Sequence, residues 1–87
     1  MEHLALTAGS LWIFHSNSFR ELYCVDSTVS IAKGEIVIVL SDYVLTHNSN
    51  TRILLLHRGQ VHLVHGCHDS TWLRMFKQVK QGQVDEE

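Results

Sequence analysis

Apolar residues along the chain come in short runs separated by turn chemistry. Leu11-Trp12-Ile13-Phe14-His15 lies between Gly9-Ser10 and Ser16-Asn17-Ser18, and Glu21-Leu22-Tyr23-Cys24-Val25 ends at Asp26-Ser27. Short runs rich in β-branched and aromatic residues, bounded in this way, predict strands. Glu35-Ile36-Val37-Ile38-Val39-Leu40 is the clearest, because its consecutive β-branched residues lose side-chain freedom in a helix and fit a pleated surface. That strand is expected to continue toward Tyr43-Val44-Leu45, and the polar Thr46-His47-Asn48-Ser49-Asn50 predicts a loop.

The strongest local signal is a hairpin. Arg52-Ile53-Leu54-Leu55-Leu56-His57 and Gln60-Val61-His62-Leu63-Val64-His65 flank Arg58-Gly59, and glycine supplies the positive φ that a tight turn demands. With a two-residue loop, Leu56 faces Val61 and Leu54 faces Leu63, an apolar set assigned to the core; Leu55 opposite His62, and His57 beside Gln60, fall on the other face. After Asp69-Ser70, the spacing of Trp72, Met75, Phe76 and Val79 favours a short helix, with one helical turn followed by a closing strand from Met75 to Val79 as the alternative.

Composition narrows the class. Eighty-seven residues make one small domain, taken as 1–80, followed by a frayed acidic tail at 81–87. No apolar run approaches the ~18 residues needed to span a bilayer, and the first residues lack the pattern of a secretory signal, so a cytoplasmic protein with no membrane partner is expected. Cys24 and Cys67 are too few for a disulfide framework and are read as reduced and buried. The net charge of −2 argues against a nucleic-acid domain, although seven histidines leave that balance sensitive to pH.

Ser30-Ile31-Ala32-Lys33-Gly34-Glu35 and the strand after it resemble the diverging turn of SH3-like barrels. Gly59 to His65 resembles the passage from the distal hairpin toward the short 3₁₀ turn, with Trp72-Leu73 in place of the family's aromatic-aliphatic pair. The resemblance covers roughly Ser10 to Val79. It implies an all-β fold, an SH3-like small barrel of about five strands with a short helical turn near the C-terminus. In style the chain is similar to small uncharacterised barrel proteins of phage and marine viral genomes. It departs from the polyproline-binding members, because Leu11-Trp12-Ile13-Phe14, Arg52-Ile53 and His65 stand where those carry their groove aromatics and proline.

Candidate chemistry is sparse. His65, Cys67 and His68 are the only weak candidates for a metal, lacking a Cys-x-x-Cys partner, and no metal or cofactor is expected. Cys67 beside His65 or His68 has the residue types of a nucleophile and base but no pocket, so no enzyme is expected. Among the aromatics, Phe14 and Phe76 are assigned to the core; Trp12, Tyr43 and Trp72 are expected to be partly exposed.

These readings favour a non-catalytic interaction module that binds a protein or itself, using Trp12, Tyr43, Leu55, His62 and Trp72. Both faces of the central strands are apolar while a small barrel has one inside, so Val37, Val39, Ile53, Leu55 and Val64 are expected to need cover from elsewhere. His57 and His62 would then make association weaken as pH falls from about 7.5 to about 5.5, with a core free of titrating groups. The alternative is single-stranded nucleic-acid binding by the barrel face through Arg52, Arg58, Trp72 and Arg74.

Overall fold

A computed structural model describes residues 3–18, 20–48 and 50–79. In chain order these form β1 (Leu4–Leu6), β2 (Leu11–Phe14), β3 (Glu21–Tyr23), β4 (Thr28–Ser30), β5 (Ile36–Val39), β6 (Tyr43–Leu45), β7 (Thr51–His57), β8 (Gln60–Cys67), α1 (Asp69–Met75) and β9 (Phe76–Val79). The all-β expectation holds. The expected tail at 81–87 lies outside the described residues.

The main sheet is antiparallel throughout, in the order β8-β7-β5-β2-β9. Two small antiparallel pairs accompany it, β1 with β6 and β3 with β4. The seven-residue α1 joins β8 at one edge to β9 at the other. These two edge strands do not hydrogen-bond to one another, so the sheet stays open. The β3–β4 pair is tied to the β8 edge by a Cys24–Val64 bridge, with Val25 N–H donating to Leu63 O at 2.9 Å.

The hairpin has the anticipated pairs, Leu56 with Val61, Leu55 with His62 and Leu54 with Leu63. Arg58 and Gly59 both take positive φ at its tip. Its buried side is the reverse of the expected one: Ile53, Leu55 and His57 point inward, while Leu54 and Leu56 are only partly buried. The reason lies in the neighbours. Val39 pairs with Leu55 and Val37 with Trp12, and the sheet's large aromatics, Trp12 and Phe14, stand on that side. There Trp12 meets Trp72 edge-on at 5.5 Å between ring centroids, and Phe14 meets Phe76 at 5.6 Å. Aromatic volume of this size fills the centre of a thin core, so the side carrying it becomes the inside. Val37, Val39, Ile53, Leu55 and Val64, expected to need external cover, are the core itself.

Other differences follow from length and partnering. Leu4–Leu6 and Thr28–Ser30 are three-residue strands with little pattern of their own, formed because β6 and β3 lie beside them. Tyr43–Leu45 is a separate strand paired with β1, not a continuation of β5. After His68, one short helix ends at Met75 and β9 begins at Phe76, as in the helical-turn-then-strand alternative.

Candidate interaction surface

The anticipated contact residues do not share a surface. Trp12 is 2% exposed and Trp72 and Leu55 are fully buried, which corrects the expectation that the two indoles are partly exposed. Trp12 Nε1–H donates to Ser10 Oγ at 3.0 Å. Tyr43 is partly buried as expected, and its hydroxyl accepts the Leu54 N–H at 2.8 Å, so it serves the edge where β5 and β7 separate. His62 is half-buried beside His57, ring centroids 6.2 Å apart. The indole proposed for base stacking, Trp72, has no exposed ring, and Arg58 is paired with Glu35.

The surface that the fold does present is the outer side of the sheet. Residues directly opposite one another in a ladder share a face. The outward row runs Val61, Leu56, Ile38, Leu11 and Val79, across all five strands without a polar residue. Ile36 opposite Ile13, and Leu54 opposite Leu63, extend it on either side. An antiparallel sheet with one solvated face ordinarily alternates apolar and polar, and here that alternation is missing. Ile36 is 48% exposed and Val61 58%. Runs apolar on both faces signal such a surface in the sequence, but Val37, Val39, Ile53, Leu55 and Val64, expected to need cover, belong to the inner side.

The polar chemistry sits at one end of the sheet. Glu35 follows Gly34, which takes a positive φ of 97°, and its Oε1 accepts from His57 Nε2–H at 2.6 Å while Oε2 pairs with Arg58. The His57 hydrogen bond, opposed by burial and assisted by Arg58 and the Ala32 backbone, holds the Glu35 carboxyl below its ordinary value. His57 is thus a buried polar member of the inner side, tying the turn before β5 to the hairpin tip, and not an outward group as expected.

Neither thiol is poised to react. Burial pushes Cys67 up to about 11, and its Sγ–H donates to His65 O at 3.4 Å. Cys24 is raised by burial and then by Asp26. A reactive cysteine needs a lowered value and access. His65 is exposed, His68 shares a hydrogen bond with Thr71 Oγ1 at 2.9 Å, and neither ring converges on Cys67; among the described residues no three His, Cys, Asp or Glu side chains could hold a metal ion. A concavity beside β3, β8 and α1, lined by Leu22, Cys67 and Met75, measures about 160 Å³, smaller than the ~300–1,000 Å³ typical of small-molecule sites. No helix of the described residues is long and apolar enough to cross a membrane.

Comparisons of the chain with protein-family models, with curated proteins and with solved structures find no match.

Proposed function

We propose that the chain is an SH3-like small barrel that works as a non-catalytic interaction module, contacting a protein partner or another copy through the outer side of its sheet. The barrel reading is supported by the connectivity. Strands β2, β5, β7 and β8 follow one another across the sheet, and β9 returns to pair with β2. The observation that carries the function is the outward aliphatic row from Val61 to Val79, which costs solvation free energy wherever it remains in water. The two thiols, both buried, lend no support to the catalytic alternative.

The test is photo-crosslinking in cells from a benzoylphenylalanine placed at position 36, with position 33, on the exposed turn, as control. A protein adduct from position 36 and none from position 33 is the expected result, and an adduct of twice the chain mass identifies self-association. Equal or absent adducts at the two positions would remove this reading.

A further inference from the structure

We infer that the outer sheet face docks a short amphipathic helix of a partner protein, one whose two ends carry acidic residues. This rests on the interaction-module reading and adds the chemistry of the partner. Three observations select it.

The first is the state of the backbone. The apolar patch centres on Leu11 and Ile13, Ile36 and Ile38, and Leu54 and Leu56, on β2, β5 and β7. Each of these strands is paired on both sides. Their peptide groups are engaged in ladders, or in the bond from Leu54 N–H to the Tyr43 hydroxyl, so the face offers a partner no backbone hydrogen bonds. An extended segment laid on it would bury unpaired N–H and C=O groups, whereas a helix satisfies its own.

The second is charge. Among the described residues the five strands of the sheet carry no Asp or Glu. Their cations are Lys77, opposite Ile13 and so on the outer side, and Arg52, exposed two residues before Leu54. Lys77 thus lies beside the patch on β9, and Arg52 lies near the start of β7. An apolar helix stripe with a carboxylate near each end matches that layout.

The third separates this occupant from a second copy, which would bring its own Arg52 and Lys77 to a face whose strands carry no carboxylate.

The test uses two fluorescein-labelled synthetic peptides of about 16 residues with leucines at helical i, i+3, i+4, i+7 spacing, one ending in glutamates and one in lysines. Anisotropy titrations at low salt are expected to show the glutamate-ended peptide binding about tenfold tighter or more, with the difference shrinking as salt rises. The double variant Arg52→Glu, Lys77→Glu should reverse the preference, and Ile36→Ser should weaken both peptides. Ile36 is half-exposed, and unchanged circular dichroism would show that its variant folds. Equal binding of the two peptides, no binding of either, or binding untouched by Ile36→Ser would each overturn the inference. So would a concentration-dependent dimer that Ile36→Ser dissociates and that excludes both peptides, while leaving the interaction-module reading standing. Sedimentation with phosphatidylserine vesicles in place of peptide binding would overturn it in favour of a lipid surface.

Discussion

The two sides of the main sheet differ little in hydrophobicity and greatly in what they carry. The inner side has Trp12, Phe14, Val37, Val39, Ile53 and Leu55, all buried; the outer side has Leu11, Ile13, Ile36, Ile38, Leu54 and Leu56, none of them fully buried. Aliphatic content would not choose between them. Size does, because the inner side bears the large rings that meet Trp72 and Phe76 from α1 and β9. Those rings supply the volume that fills the centre of a thin core, and the aliphatic chains of the other side are smaller.

Neighbouring leucines give the sharpest way to break this comparison. Leu55→Ala should cost about 2–5 kcal/mol in urea denaturation, through lost burial and an unfilled cavity. Leu56→Ala, one residue on and facing out, should cost about 1 kcal/mol or less. Equal losses would mean that the two sides are not distinct.

Next in size is a position where a close approach between β8 and the segment before β7 leaves no room. Near the end of β8, a Cβ on Gly66 would run into the side chain and backbone of Asn50, just before β7. Gly66→Ala should therefore destabilise by about 1–3 kcal/mol, as overpacking does. Gly66→Ala in an Asn50→Gly background should recover part of that loss, and a neutral Gly66→Ala would contradict the close approach.

The polar end of the inner side provides a pH test. Folding lowers the Glu35 carboxyl, chiefly through His57, so its contribution is fully present above its ordinary value of 4.5 and is lost as pH falls through the lower folded value. Urea midpoints should be steady near neutral pH and drop below about 4.5. Glu35→Gln should be less stable at neutral pH by about 1 kcal/mol and lack that part of the acid slope. Parallel pH profiles for the two proteins would show that the carboxylate is not held in this way. The histidines expected to face a partner stand on the inner side instead, His57 buried and His62 half-buried beside it.

The smallest effect belongs to the outer side. Ile36→Thr keeps β-branching at a half-exposed site and should change folding stability by no more than about 0.5 kcal/mol. A loss comparable to that of Leu55→Ala would mean that this side is structural.

Much of the fold is legible in the residues. The β-branched run Ile36–Val39 and the Arg58-Gly59 tip specify strands and a hairpin register through local sterics, and that register is the observed one. Both thiols are free and buried, as expected of two cysteines too few for a disulfide framework. The apolar excess of the central strands also showed that one side of the sheet would be left uncovered.

Which side that is, only the tertiary structure decided. The β7–β8 hairpin is apolar on both faces, so its own pattern is degenerate, and a strand's facing reverses with a single-residue change in how it meets its neighbour. The choice passes through Val39 opposite Leu55 and Val37 opposite Trp12 to the aromatic cluster, contacts between residues far apart in the chain. The same long-range pairing buries Trp72 and brings Glu35 to His57, 22 positions apart in sequence. Local chemistry determined the longer strands and the hairpin turn; the inside was set by where the largest side chains from distant elements could meet.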